Sequence, residues 1–274
     1  MGSDLTKGWL AMHDFHMHTN FSIDSKATME EMVQSGVKKG LEGLCFTDHI
    51  EFDSPLVGDE LYDPVEYAAE IARLKAIYGE QIDIKMGTEL GWQPHVVDKM
   101  NAYVAKGDFD FVLCSLHTVD FKDLHTNEFS KGKTSAQAYA RYFEAYYECV
   151  NDRFEFDVLS HYDLLKRHVS FDADQVFKDN YEIAKATFKR LIEDGRGIEI
   201  NTSGFRYNIN SGLPSADFLK LYKELGGEII TTGSDAHTPK DVASHFEYAY
   251  DLLRSIGFKY VTHFENRSPK FIKI

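Results

Sequence analysis

The chain has 274 residues, a length typical of one α/β barrel, and 43% of them are hydrophobic, which is enough for a large core. Its formal net charge is −14. This charge argues against a nucleic-acid partner or an anionic membrane, since both are held by basic surfaces, but it permits a small phosphorylated substrate at a local positive site. The three cysteines form no CxxC pair and no apolar run is long enough to span a membrane, so we expect a cytoplasmic protein.

The chain repeats one unit, a strand followed by a loop and a helix. The predicted strands are 13–18, 43–49, 82–90, 109–117, 155–161, 197–204 and 228–237. The predicted helices are 28–40, 64–79, 94–106, 134–151, 172–194, 214–225 and 239–256. This alternation predicts a parallel sheet, either a closed barrel or an open, doubly wound sheet. We place residues 13–274 in one barrel domain and read residues 1–12 as an N-terminal extension or an expression remnant.

Histidine and carboxylate residues recur where the predicted strands end. The strand ends read HMH, TDH, GTE, SLH, SHYD, NTSG and SDAH, and only NTSG lacks such a residue. In a barrel all these ends meet at one face, whereas an open sheet binds ligands mainly at one switch point. His16 and His18 are two residues apart and therefore share one face of the first strand. Imidazole and carboxylate ligands without cysteine predict a multinuclear Zn²⁺, Mn²⁺ or Fe²⁺ site, which favours the barrel.

In chain order, these motifs resemble those of the PHP (polymerase and histidinol phosphatase) superfamily. The matching segments are HxHTxxSxD at 16–24, TDH at 47–49, Glu89, SLH at 115–117, SH at 160–161 and SDAH at 234–237. Within the superfamily, HxDxxxR at 161–167 and NTSGFR at 201–206 are similar to the monofunctional histidinol-phosphate phosphatases. The resemblance implies an α/β fold, a distorted (β/α)7 TIM-like barrel in a single domain.

The resemblance also implies a site for three divalent metal ions, which would be Zn, Mn or Fe. The ligands of the first ion would be His16, His18, Glu89 and Asp235. Glu89 would bridge to a second ion, whose other ligands would be His117 and His161. The third ion would be held by Asp24, His49 and His237. For Asp48 we expect a role in orienting a histidine rather than in binding metal.

The activity implied by the resemblance is hydrolysis of a phosphomonoester, namely L-histidinol phosphate to L-histidinol and phosphate in histidine biosynthesis. A metal-bridging hydroxide would attack the phosphorus. Arg206 and Arg167 are the candidate phosphate-binding residues, because a guanidinium fork matches phosphate oxygens. Asp163 follows His161 by two residues and is the candidate general acid, with a second possible role in orienting a metal-bound histidine. Candidate partners for the substrate amine are Glu51, Asp53, Asp120 and Asp123.

Three other interpretations stay open at this point. The first is another PHP phosphoesterase that acts on a nucleotide or another small phosphoester. The second is an amidohydrolase, which also begins with HxH, although SLH stands where a strand-end lysine is common in that group. The third is a metal-binding PHP scaffold without catalysis, which the complete set of ligand positions disfavours. The other histidines fit no strand-end pattern and are read as structural or surface residues: His13, His95, His125, His168, His245 and His263.

Overall fold

The computed structural model describes residues 12–170 and 172–274, so most of the predicted extension at 1–12 lies outside the described residues. Seven parallel strands pair in chain order: β1 (His13–Asp14), β2 (Gly43–Phe46), β3 (Asp83–Gly91), β4 (Phe111–Ser115), β5 (Val158–Leu159), β6 (Gly197–Asn201) and β7 (Ile230–Gly233). The sheet nearly closes on itself, because Phe15 N donates to Thr232 O at 2.9 Å and Met17 bridges to Ala236 in parallel. The expected single-domain, seven-stranded barrel is confirmed.

The helices surround this sheet. They are α1 (Met29–Lys39), α2 (Pro64–Tyr78), α3 (Val97–Val104), α4 (Ser135–Asn151), α5 (Ala173–Asp179), α6 (Tyr181–Glu193), α7 (Ala216–Glu224) and α8 (Phe246–Ile256). The prediction of one helix over 172–194 was wrong, since Asn180 leaves the helical conformation and separates α5 from α6. The Asn180 side chain donates to the carbonyl of Val176 at 2.8 Å, a local bond that competes with helix continuation. No described helix is both long and apolar enough to cross a membrane.

Helix α4 contains the aromatic segment AYARYFEAYYECV. It begins at a capping box in which the Thr134 hydroxyl accepts from Gln137 N, while the Gln137 side chain accepts from Thr134 N. Tyr139, Tyr142 and Tyr146 are all fully buried against the barrel. These rings therefore belong to the core and form no surface on which nucleic-acid bases could stack.

Six of the seven barrel strands are shorter than predicted at their carboxyl ends, and only β3 reaches past its predicted end, to Gly91. The segment 13–18, for example, stays in the ladder only through Asp14, and its histidines lie beyond the paired residues. After β2 the chain forms an additional strand, His49–Ser54, which pairs in parallel with β3 and antiparallel with Gly58–Glu60. The short strand Gly58–Glu60 thus lies on the side of the barrel where the strands end.

The opposite, amino-terminal end of the barrel is covered by a hairpin of Tyr260–Glu265 and Ser268–Lys273. Its Asn266 N donates to Asp110, which immediately precedes β4. Phe264 enters an apolar cluster formed with strand residues such as Phe111, whose ring centroid is 5.0 Å away. Because this end is filled with side chains, the strand ends on the other side provide the accessible face.

Replacing Phe264 by alanine should destabilise the protein by about 3–5 kcal/mol, because a buried ring is lost and the cavity cannot fully collapse. Urea unfolding measures this free energy. Phe271→Ala on the same hairpin is the matched control, since Phe271 is 51% exposed, and it should change stability by less than about 0.5 kcal/mol. Equal effects of the two substitutions would mean that Phe264 does not contribute to the core.

Candidate metal centre

The carboxyl ends of the strands bring together all nine side chains expected to bind metal. They are His16, His18, Asp24, His49, Glu89, His117, His161, Asp235 and His237. Glu89 belongs to β3, and the others lie in the segments that follow β1, β2, β4, β5 and β7. Residues far apart in the chain therefore meet at one face because parallel strands end on the same side of a barrel.

Glu89 lies at the middle of this cluster and is fully buried. Its Oε2 atom is 3.3 Å from Nε2 of His16, 3.3 Å from Nε2 of His18 and 3.0 Å from Nδ1 of His49. Its other oxygen, Oε1, is 3.1 Å from Nε2 of His161 and 3.5 Å from Nε2 of His117. A single carboxylate thus faces ligand atoms on both sides, as a bridging ligand must.

Two aspartates complete the cluster toward solvent. Asp24 Oδ2 is 3.0 Å from Nε2 of His237 and 3.5 Å from Nε2 of His49. Asp235 Oδ1 is 3.5 Å from Nε2 of His18. Asp24 is the more exposed of the two, with 48% of its side chain accessible against 7% for Asp235.

The donor set fits divalent ions. Ligands bound at 2.0–2.1 Å in a tetrahedral site are separated by roughly 3.3 Å, and the distances at Glu89 are 3.0–3.5 Å. Glu89 Oε2 and His49 Nδ1 are buried, yet neither makes a hydrogen bond of acceptable geometry with the described residues. A buried anionic oxygen without such a bond is costly unless a cation binds it. The cluster therefore has the ligand types and spacing that divalent metals require.

Four groups of side chains have ligand atoms close enough to share an ion. The groups are His18, Asp24, His49 and His237; His16, His18 and Asp235; His16, Glu89 and His161; and His49, Glu89 and His117. The predicted third-ion ligands all occur in one group, to which the structure adds His18. The groups overlap at His16, His18, His49 and Glu89, as expected when ions share a cluster, and the number of ions stays a prediction.

The electrostatics of the cluster are set by burial and by mutual contacts. Burial alone would raise the pKa of Glu89, but His16, His49 and His117 hold that pKa well below its usual range. Burial would lower the pKa of His117, yet Glu51 and Glu89 raise it to about 10. Burial would likewise lower the pKa of His49, which Glu89 and Asp24 raise well above its ordinary value. Without metal, the His117 imidazole therefore holds a proton at neutral pH.

Metal binding should therefore release protons, because a histidine must be neutral to ligate and a pKa of about 10 keeps the His117 ring protonated at pH 7. By the same linkage, metal affinity should fall as the pH falls. Calorimetric titration of metal-free protein with Zn²⁺, in two buffers of different ionisation enthalpy at pH 7, measures the release, which we expect to be about one proton or more. His117→Gln should release fewer protons, and a buffer-independent enthalpy would contradict the prediction.

Two glutamates that orient histidines were missed or misassigned by the sequence analysis. Glu199 on β6 is buried, with Oε1 2.7 Å from Nδ1 of His16 and Oε2 accepting from the backbone N of His161 at 2.9 Å. Glu51, considered above as an amine partner, has Oε1 2.6 Å from Nδ1 of His117. Carboxylates in these positions fix the orientation and the tautomer of a metal-binding imidazole. Gly233 leaves the necessary room, since a Cβ there would lie 1.9 Å from the Glu199 carboxylate.

Asp48 is buried, as expected for a residue that supports the site. Its carboxylate accepts hydrogen bonds from Thr19, Ser22 and the Tyr67 hydroxyl rather than from a histidine ring. Ser22 Oγ in turn lies 3.3 Å from Nδ1 of His18 and accepts from the backbone N of His49. Asp48 therefore acts on the histidines through Ser22.

The three candidate catalytic residues have different positions. Arg167 lines the pocket above the cluster, with Nη2 2.9 Å from Asp235 Oδ2 and its guanidinium 4.3 Å from the centre of the Tyr207 ring. Arg206 donates to the backbone carbonyls of Ser234 and Asp235 and is not among the residues that line this pocket. The structure thus brings Arg167 to the site, whereas Arg206 holds the segment after β7.

Asp163 is also absent from the pocket lining, and it is fully buried. Its Oδ2 accepts from Lys166 Nζ at 3.0 Å and from Ser215 N at 2.8 Å. These contacts place Asp163 in an ion pair that stabilises the loop after β5. Asp163 does not line the pocket, and no histidine ring is bonded to it among the described residues, so its role as general acid stays a prediction without support from these contacts.

The pocket itself has a volume of about 290 Å³, which suits a small molecule rather than a polymer. Besides cluster residues and Arg167, its lining includes Ile23, Glu60, His125 and Tyr207. His125 had been read as structural or surface because it ends no strand. It reaches the pocket from the loop that follows Lys122–Asp123, a loop whose direction the sequence pattern does not reveal.

The fold and the cluster together define a metal-binding α/β barrel. Residues 14–203 match the family model of the PHP domain, and the chain belongs to this family. It is 31% identical over 266 residues to a histidinol-phosphatase of Lactococcus lactis, covering 95% of this chain and 98% of that protein. A probable histidinol-phosphatase of Clostridium acetobutylicum is 28% identical over 94% of this chain and 98% of its own length.

A solved structure shows the same architecture. The crystal structure of histidinol phosphate phosphatase from Lactococcus lactis, complexed with zinc, L-histidinol and phosphate, aligns with a TM-score of 0.87 and 28% identity. The alignment covers 96% of this chain and all of that one. The resemblance that the strand-end motifs indicated is therefore confirmed at the level of the family and the fold.

Proposed function

We propose that this protein hydrolyses L-histidinol phosphate to L-histidinol and phosphate, as a metal-dependent phosphoric monoester hydrolase. The observation that carries the proposal is the cluster of nine ligand side chains around Glu89 at the base of a small pocket. It is supported by histidinol-phosphatase relatives that align over nearly the whole chain, and by a structural neighbour that binds zinc, L-histidinol and phosphate.

We further propose that the cluster holds three divalent ions of zinc, manganese or iron, with Glu89 shared between two of them. When bound, such ions lower the pKa of a coordinated water and polarise phosphoryl oxygens. The contribution of the chain is to fix the ligands: Glu199 orients His16, Glu51 orients His117, and Asp48 acts through Ser22. These contacts keep the other ring nitrogens of these histidines directed at Glu89 before substrate arrives.

Arg167 is our candidate for binding the phosphate group. Only 5% of its side chain is exposed, and its Nε atom is buried without a hydrogen-bond partner among the described residues. The contact with Tyr207 and the bond to Asp235 hold the guanidinium beside the cluster. An unused N–H at this position is suited to a phosphoryl oxygen and to the charge that develops during hydrolysis.

Arg206 has a different role in this account. Its bonds to the carbonyls of Ser234 and Asp235 make it a positioning residue for the segment that carries Asp235 and His237. With Asp163 outside the pocket, we assign the proton required by the leaving alkoxide to water in the open pocket.

The substrate is tested by phosphate release from L-histidinol phosphate, adenosine monophosphate and p-nitrophenyl phosphate, each with zinc- or manganese-loaded protein. We expect kcat/KM for L-histidinol phosphate to exceed that for adenosine monophosphate by about 10²-fold or more, since a pocket of 290 Å³ restricts the larger ester. Faster release from the nucleotide would support a metal-dependent phosphatase but would contradict L-histidinol phosphate as its preferred substrate. No release from any ester despite bound metal would favour the non-catalytic scaffold.

A further inference from the structure

The pocket contains one carboxylate outside the metal cluster that forms no ion pair among the described residues. Glu60 lines the pocket from the end of the short strand Gly58–Glu60. Its Oε1 accepts from the backbone N of Ile23 at 2.6 Å, and its other oxygen makes no hydrogen bond with the described residues. No lysine, arginine or histidine of the described residues lies close enough to Glu60 for an ion pair, although His49 is near enough to attract its charge.

The other carboxylates of the pocket are all paired. Asp24 contacts His237, Glu51 contacts His117, and Asp235 contacts Arg167. Asp123 lies 3.7 Å from His125 and also accepts from two backbone N–H groups. The remaining amine candidates of the sequence analysis, Asp53 and Asp120, are bound by Lys99 and Arg141 and do not line the pocket.

The surroundings of Glu60 favour a positively charged ligand. Burial raises the pKa of Glu60, the hydrogen bond from Ile23 N and the nearby His49 lower it, and the carboxylates of Asp24 and Glu51 raise it. Glu60 stands opposite Glu51 in the antiparallel register, and its hydrogen bond to Ile23 places it beside Asp24. A carboxylate that is partly buried among other carboxylates gains more from a cation than an isolated surface group does.

We propose that Glu60 binds the ammonium group of the substrate and so selects phosphate esters that carry an amine close to the ester. This inference rests on the proposed function. In L-histidinol phosphate the amine is on the carbon next to the one that bears the ester oxygen. When the phosphate is at the metal cluster, the ammonium group must therefore be near the rim of the cluster, and Glu60 is the unpaired carboxylate at that rim.

The substitution Glu60→Gln tests the assignment, because the amide oxygen can still accept from Ile23 N while the charge is removed. The two substrates are L-histidinol phosphate and its des-amino analogue, 3-(imidazol-4-yl)propyl phosphate. We expect the ratio of their kcat/KM values to fall by about 10- to 100-fold in the variant, the range for a charged hydrogen bond. An equal loss on both esters, with the ratio unchanged, would overturn the assignment and make Glu60 a support for the Ile23 segment.

Asp59→Asn is the matched control. Asp59 is on the same strand, is exposed, and bonds the backbone N of Asp53 without lining the pocket. Its substitution removes the same charge and should leave the ratio at the wild-type value. A ratio that falls equally in both variants would indicate a general effect of charge and would contradict a specific contact at Glu60.

A binding measurement separates this inference from the proposed function. Calorimetry with zinc-loaded protein in phosphate buffer compares L-histidinol with 3-(imidazol-4-yl)propanol, so it requires no turnover. Tighter binding of the amine by the wild type, lost in Glu60→Gln, supports the assignment whichever ester the enzyme prefers. Equal binding of both alcohols by the wild type would overturn the assignment of Glu60. Failure of the proposed function would be seen separately, as the absence of phosphate release from L-histidinol phosphate.

Discussion

Glu89→Gln should lower phosphate release from L-histidinol phosphate by about 10³-fold or more and should reduce the metal content of the purified protein. The reason is the position of this carboxylate, whose two oxygens face five histidine nitrogens at 3.0–3.5 Å. The amide of glutamine has neither the negative charge of the carboxylate nor a second atom that binds metal strongly. Metal analysis by mass spectrometry and steady-state kinetics measure the two effects.

The matched control for Glu89→Gln is Glu80→Gln, because Glu80 is an exposed residue outside the cluster and its replacement removes the same charge. This control should keep wild-type metal content and turnover. Circular dichroism of both variants shows whether the barrel is folded. A folded Glu89→Gln protein that keeps its full metal complement and its activity would contradict the bridging role.

Arg167→Ala should lower kcat/KM by about 10²- to 10³-fold when metal is saturating, as expected for the loss of a donor to the developing phosphoryl charge. Lysine at this position should recover little, since it lacks the planar fork and the contact with Tyr207. Steady-state kinetics at several Zn²⁺ concentrations measure the effect. Unchanged kcat/KM in Arg167→Ala would exclude it from phosphate binding.

Arg206→Ala provides the comparison. Because Arg206 supports the carbonyls of Ser234 and Asp235, we expect its loss to weaken metal binding, and part of the activity should return at high metal concentration. Arg167→Ala should not recover in this way. If added metal restored activity to Arg167→Ala but not to Arg206→Ala, Arg167 would be the positioning residue and Arg206 the phosphate-binding residue.

The strand-end pattern was sufficient to predict the barrel and to select the side chains that meet at its open face. Parallel strands all end on one side, so motifs such as HMH, TDH and SDAH need only their order in the chain to be placed together. The element boundaries were less certain. His16 and His18 lie beyond the hydrogen-bonded part of β1, and one predicted helix divides at Asn180 because of a local side-chain bond.

Apart from Asp48 in the TDH motif, residues that support the ligands could not be found from motifs. Glu199 contacts His16, which is 183 positions away in the sequence. In the segment GIEIN, Glu199 is only a single charged residue within a buried strand. Spacing alone also did not reveal the ion pair of Asp163 with Lys166. The importance of Glu60 depends on the register of a short antiparallel strand, which the sequence pattern did not predict. Such contacts depend on tertiary geometry.

The most direct test of the account is to strip the protein of metal with a chelator and to follow phosphate release from L-histidinol phosphate as Zn²⁺ or Mn²⁺ is returned. The stripped protein should be inactive, and activity should rise with bound metal until about three equivalents are present, the number proposed for this cluster of overlapping ligand groups. Full activity in the stripped protein, or no activity after complete loading, would contradict a metal-dependent phosphatase.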